Sequence, residues 1–326
     1  MKFARLAACA LTLALATLAA PASAQAPNYP NRPVKVIIPF PPGGSIDVIA
    51  RAYAQELEKA LGQAFVVENK PGASGRIATE ILAKAPADGY TVGFTLDGII
   101  INWLLVPNAP YRIPSDFQPV GMVANIPMLM VVNPKVPVNT FQEFIAYGKS
   151  KPGGLNFASS GNASIPHLLM EMITLHTGAK VTHVPFTGGP PGMNATLAGD
   201  TDVILVSAVM GMPHVKSGKV KPIVVGSPQR FKDLPNVPTI AEAGNPNLKS
   251  IGTWTGLVAP AGTPKAVVDK LNAEINRIGK SPEMIEKLEK LGAEPMTGSV
   301  DDFARFMAED QKRWAELFKT VKVKVD

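Results

Sequence analysis

The chain reads as an α/β protein: parallel or mixed sheets flanked by helices, folded as two lobes with a cleft between them. Three observations predict this. Short β-rich runs alternate with helical patterns along nearly the whole chain, which places helices on the faces of parallel sheets. The alternation is interrupted twice, near 124–127 and near 248–252, by Pro, Gly and Asn. At 326 residues the chain is also longer than one hydrophobic core usually fills. The two interruptions predict that residues 125–251 form one lobe inserted into another built from 27–124 and 252–326.

Strands are expected near 34–40, 64–68, 91–95, 128–133, 155–159, 181–186, 202–207 and 221–226. Between the first two, Ser45 is placed to cap a helix whose Ile46, Ile49, Ala50, Tyr53, Leu57 and Leu61 recur at helical spacing, with Gly62 at its end. Thr140 and Glu143 form a capping-box pattern. Ser164 is placed to cap the run from Ile165 to Thr177, which Gly178 would close. Ser299 to Thr320 is expected to be a long amphipathic closing helix.

The first residues predict export. Lys2 and Arg5 precede an apolar run, Leu6 to Ala20, and Ala22-Ser23-Ala24 has the small-x-small form of a cleavage site, so residues 1–24 are expected to be a signal peptide and the mature chain to begin at Gln25. Cys9 imitates a lipoprotein acylation site, but most of the apolar region follows it instead of preceding it. A mature chain without that single cysteine has neither a disulfide nor a thiol nucleophile. After Gln25 no apolar run reaches the roughly 18 residues of a membrane span. A bacterial periplasm is the expected compartment. Removing Lys2 and Arg5 from 32 basic residues leaves 30 against 26 acidic ones, a net charge of +4. Those charges are dispersed; Lys319, Lys322 and Lys324 read as a solvated helix end, not as a nucleic-acid patch.

The richest stretch for chemistry is VKVIIPFPPGGSID, Val34 to Asp47, where an apolar strand passes through a Pro-Gly loop directly into a helix. Such a junction gathers unpaired backbone N–H groups at the carboxyl end of a strand, and the helix dipole favours an anion there. The pattern recurs in NFASSGNASIPH (Asn156 to His167) and in VPFTGGPPGMNAT (Val184 to Thr196). Each junction alone is also what an ordinary tight turn of an α/β fold looks like. Together they predict three helix starts facing one cleft, able to hold a carboxylate through N–H groups and hydroxyls without an arginine.

These residues identify the chain as similar to a known family. VKVIIPFPPGGSIDVIARAYAQELEKALGQAFVVENKPGASG, followed by ADGYTV, SSGNASIPHL, the VPFTGG loop and VAPAGTPKAVVDKLN, resembles the Bug family, the extracytoplasmic solute receptors of tripartite tricarboxylate transporters. The resemblance implies a two-lobed periplasmic binding protein fold of type II character, which closes on a small organic acid and presents it to membrane subunits of a transporter. Neither cofactor nor metal is expected, the dispersed charge predicts no nucleic-acid partner, and a monomer is expected. Carried over by position, it places Pro42, Gly43, Gly44, Ser45 and Asp47 at the ligand, with Thr95 and Asp97 after the third strand. Opposite them it places Ser160, Gly161, Asn162, Ser164, His167, Thr187, Gly188, Asp202 and Ser207.

Two departures from the family pattern bear on the ligand. Phe186-Thr187-Gly188 stands where Tyr-Lys-Gly is common, and Leu96-Asp97-Gly98 where small hydroxyl residues are common. A lost lysine and an inward Asp97 would disfavour a tricarboxylate by like-charge repulsion, leaving a dicarboxylate or an aromatic carboxylate. Ile99, Ile100, Ile101 and Trp103 read either as an apolar wall for such a ligand or as plain core. Asp47 reads equally as a first-turn structural carboxylate or as a ligand-orienting one. His176, His183 and His214 lack metal-ligand spacing. The sequons at Asn162 and Asn194 are accidental in a bacterial export setting. The rival classes are a serine hydrolase using Ser45, Ser160 or Ser164, which lacks any GxSxG elbow, and a sensory receptor that reports the same ligand to a signalling partner.

Overall fold

The computed structural model describes residues 29–244 and 252–319. The expected signal peptide and most of the second interruption, 248–252, lie outside them. The first strand, β1 (Val34–Ile38), leads into α1 (Ser45–Leu61); β2 (Phe65–Asn69) leads through a 3-10 turn (Ala73–Gly75) into α2 (Arg76–Ala83); β3 (Thr91–Leu96) leads into α3 (Gly98–Leu105). A 16-residue strand, β4 (Phe117–Val132), follows. Next come α4 (Phe141–Ser150), β5 (Leu155–Ser159), α5 (Ile165–Thr177), β6 (Val181–Pro185), α6 (Gly189–Ala198), β7 (Val203–Ser207), α7 (Ala208–Lys216) and β8 (Lys221–Val225). The chain closes with β9 (Gly252–Pro260), α8 (Lys265–Gly279), α9 (Pro282–Lys290), β10 (Glu294–Pro295) and α10 (Val300–Leu317).

The strands lie in the order β2-β1-β3-β9-β4-β7-β5-β6, with β8 and β10 also pairing with β4. β1, β2 and β3 run parallel in one half, and β5, β6 and β7 in the other. Between the halves stands an antiparallel ribbon. β4 pairs with β9 from Phe117 to Pro127, then with β7 and β8 from Met128 to Val132, so one strand belongs to both halves. Pro119 and Pro127 sit in that strand although proline donates no ladder hydrogen bond; register shifts at Pro119/Gly121 and Met122/Ala124 loosen the pairing near the first of them.

One hydrophobic cluster fills the first half beneath α1 and α8, and a smaller one packs beside α7. A third runs from Ile99, Trp254 and Phe303 across to Phe141, Phe157 and Leu168, so the halves share a buried seam along β4. Ile99, Ile100 and Ile101 are plain core in that seam, and the expected apolar ligand wall is not formed by them.

The helix ends follow the sequence signals in part. Gly62 and Gly178 take left-handed φ of 71° and 72° and close α1 and α5. Thr140 accepts from the Glu143 N–H at 3.1 Å, but Glu143 returns its bond to the Asn139 N–H instead of that of Thr140. Ser45 is the first helical residue and not the cap; that place belongs to Gly44. Ser299 does cap α10, through a reciprocal pair with Asp302.

Candidate functional site

Loops that follow β1, β2, β3, β5, β6 and β7 converge on one cleft, because all six parallel strands present their carboxyl ends to it. The cleft has two adjoining chambers that share Phe40, Ser74 and Ser160. The inner one encloses ≈ 80 Å³ among Gly44, Ser45, Leu96, Gly98, Asn102, Ser160, Ser164, Pro190, Ser207 and Thr253, with Ile46, Met128, Ile204 and Met210 supplying apolar surface. The outer one encloses ≈ 220 Å³ among Gly72, Ala73, Arg76, Gly161, Asn162, Phe186 and Thr187.

The inner chamber lies against the starts of α1, α5, α6 and α7. Ser207 spends its hydroxyl as a cap, accepting from the Met210 N–H at 3.3 Å. Ser164 does not. It occupies the N-cap position of α5, yet its Oγ caps no N–H, is buried, and has no hydrogen-bond partner among the described residues. Asn102 Oδ1 is a second buried, unpartnered oxygen lining the chamber; its Nδ2 donates to the Ser74 carbonyl at 2.9 Å. Unpaired buried polar atoms are rare and costly in folded proteins, and these two belong to residues that line the inner chamber.

The loops are held under strain from below. Ala73, Ser74 and Ala163 adopt left-handed φ of 47°, 53° and 55° without being glycine, each at the lip of a chamber. Asp47 lines neither chamber. Its Oδ2 accepts from the Gly43 N–H at 2.9 Å, and its Oδ1 from Arg51 Nε at 3.0 Å and Asn69 Nδ2 at 2.9 Å. Burial raises its pKa, but the bonds from Arg51, Gly43 and Asn69 outweigh that and hold it below the usual carboxylate range. Asp47 thus fixes the Pro-Gly loop. His167 plays the same part on the other side: Nδ1 accepts from the Ala163 N–H at 3.0 Å, and its ring stacks on His183 at 3.8 Å, while His183 Nε2 lies 2.6 Å from Ser159 Oγ.

Residues 49–323 match the model of the tripartite tricarboxylate transporter family receptor. The chain belongs to that family. It is 35% identical to Protein BugT of Bordetella pertussis over 98% of both chains. The structure of the periplasmic binding protein BugD superposes with a TM-score of 0.85 at 33% identity, covering 91% of this chain and 99% of that one. R. palustris Rpa4515 with adipate superposes at 0.87 and 34% identity, covering 90% and 99%. The family receptor is a solute-binding protein, not an enzyme, and the fold is the two-lobed periplasmic binding protein fold.

Within this receptor the residues expected at the ligand divide into three groups. Gly44, Ser45, Ser160, Ser164 and Ser207 line the inner chamber, and Ser160, Gly161, Asn162 and Thr187 the outer one. Pro42, Gly43, Asp47, His167 and Gly188 lie in or behind the loops without lining either. Thr95, Asp97 and Asp202 are elsewhere. Thr95 is buried beneath the cleft and donates to the Leu96 carbonyl. Asp202 precedes β7 at the amino end of the sheet, where it accepts from Lys151 Nζ at 2.6 Å and from the Asn156 N–H at 2.8 Å.

Asp97 is fully buried beneath Thr253, whose hydroxyl donates to Oδ1 at 2.5 Å. It does not face a ligand, so the repulsion expected to exclude tricarboxylates has no geometric basis. Burial and the charge of Asp310 push its carboxyl well above the usual range. The fold therefore holds a proton that the unfolded chain releases above about pH 4, and this opposes folding increasingly as pH rises. Asp97→Asn is expected to raise the melting temperature by a few degrees at pH 7 and hardly at all at pH 4, as read by thermal unfolding at both. Equal destabilisation at the two would show an ionised Asp97.

Ser74, Arg76, Asn102 and Thr253 line the chambers and were not expected. GASGR, Gly72 to Arg76, carried a usable signal: a glycine-bracketed loop ending in a cation just after a strand.

Proposed function

We propose that the protein is an exported receptor that captures a small carboxylated molecule in the inner chamber and delivers it to the membrane subunits of a tripartite tricarboxylate-type transporter. Residues 27–124 with 252–326 would form one closing lobe and 125–251 the other, with export by cleavage after Ala24. The free Ser164 hydroxyl at the start of α5 carries this reading. A cap serine that leaves its own helix unserved, at a dipole end inside a chamber lined by no acidic side chain, suits an anionic acceptor. The apolar remainder of the chamber suits a hydrocarbon body. The adipate bound by Rpa4515 supports the same class of ligand. Closure follows from differential affinity: a ligand that touches both lobes favours the state in which both are within reach.

A thermal-shift screen of aliphatic and aromatic acids against their amides tests it. An acid at a hundred times its Kd adds about 2.7 kcal/mol. A rise with an acid, no rise with its amide, and a roughly tenfold loss of affinity in Ser164→Ala are expected. Equal response to acid and amide would sink the carboxylate reading.

A further inference from the structure

We infer that Arg76 makes the outer chamber a second anion subsite, so that the ligand is a dianion with one carboxylate in each chamber. The inference rests on the carboxylate reading of the inner chamber and extends it.

Among the residues lining the two chambers, Arg76 is the single one with an ionisable side chain. It has no hydrogen bond or ion pair among the described residues, whereas Arg51, Arg112, Arg230, Arg277, Arg305 and Arg313 each pair with an aspartate or glutamate. Its place is also unfavourable for a lone cation. Arg76 is the first residue of α2, where the helix dipole presents its positive end, and a positive side chain there gains nothing from its own helix. An anion in front of it would be held by both the guanidinium and the dipole, and the guanidinium fork matches a carboxylate in two-bond geometry.

The chambers adjoin at Ser74, Ser160 and Phe40, so a molecule that occupies both must pass between those three side chains. The inner chamber already offers the unpartnered Ser164 hydroxyl to one carboxylate, while the unpartnered Asn102 Oδ1, an acceptor, calls for a donor such as a hydroxyl or water beside it. A monoacid filling the inner chamber would leave Arg76 unanswered, whereas an α,ω-diacid of suitable length answers it.

The test is calorimetric titration with unbranched diacids of four to eight carbons, each beside the monoacid of equal length, for example adipate beside hexanoate. Wild-type protein is expected to hold its best diacid at least tenfold tighter than the matching monoacid. Arg76→Gln should bring that ratio close to one while leaving the monoacid within twofold, and Arg76→Lys should keep part of the preference. A diacid preference that survives Arg76→Gln, or an equal loss for both acids, would overturn the subsite. If the wild type binds monoacids and diacids equally, the subsite fails and the inner-chamber carboxylate stands. Failure to bind any acid overturns both.

Discussion

Gly188→Ala is expected to weaken ligand binding by about 10- to 100-fold. Gly188 opens the turn before α6 with φ of 136°, and a Cβ built on it stands 2.7 Å from Cδ of Pro41 in the Pro-Gly loop that follows β1 in the other half of the sheet. Backbone strain from the new side chain, of order 1–3 kcal/mol, falls on open and closed forms alike and lowers stability. The collision falls only on a form in which the two loops meet as they do here, and lobes that move apart escape it. Overpacking of this kind costs about 1–3 kcal/mol, and each 1.4 kcal/mol is a factor of ten in affinity. Pro41→Ala in the same chain removes the struck atom, so the double variant should recover most of the lost affinity without recovering the lost stability. Titration of the single and double variants with the tightest-binding acid checks this; no recovery would show that the loss comes from loop strain and not from blocked closure.

A second large effect is expected on acidification. Burial, and then the proximity of His183, depress the pKa of His167 from 6.5 to about 4. Burial lowers that of His183 as well. The unfolded chain takes up a proton near pH 6.5, and the fold refuses it until about pH 4. The stability this contributes is complete above 6.5 and is lost as pH falls through that window. A tenfold difference in proton affinity between folded and unfolded chain is worth about 1.4 kcal/mol, and allowing for solvent at the loop edge leaves about 2 kcal/mol in all. Protonation at Nδ1 would also displace the Ala163 N–H, the residue just before Ser164, so affinity should fall with stability. Glu171, 3.7 Å from Nε2, has its own pKa raised by burial and is a weak counter-charge there. His167→Gln, whose amide oxygen can still accept from Ala163, should flatten both profiles between pH 7 and 4. An unchanged acid profile in that variant would clear His167 of the role.

What could be read from the sequence were the places where punctuation and periodicity agree. β1, its Pro-Gly loop and α1 are marked by a β-branched run, glycines and a helical stripe, and Gly62 and Gly178 end helices because the left-handed turn costs glycine little. Most of the β4/β9 ribbon was not legible. Gly121, Asn125 and Pro127 look like breakers, and only long-range antiparallel pairing lets the strand run through them. Asp47, Asp97 and Asp202 line neither chamber, and the sequence could not show it for a different reason: spacing does not say where a side chain points. Asp202 could have been set aside, since it precedes its strand and ligands in such folds gather at the other end. Arg76 was not legible because a short glycine-bracketed loop such as GASG also suits close backbone packing, and nothing local reveals that the loop meets Asn162 from the far half of the chain.

That meeting is a hydrogen bond: Ser74 Oγ donates to the Asn162 carbonyl at 2.6 Å, across the mouth of the cleft. It is made entirely of protein atoms and does not require cargo. A bond of this kind contributes about 0.5–1.5 kcal/mol, which would multiply the ratio of closed to open empty receptor by about two to ten. Closed shape is then an imperfect message. A membrane partner that recognised only the outline of the closed receptor would be occupied by vacant copies in proportion to their closed share, and the Ser74–Asn162 bond would set how often that happened.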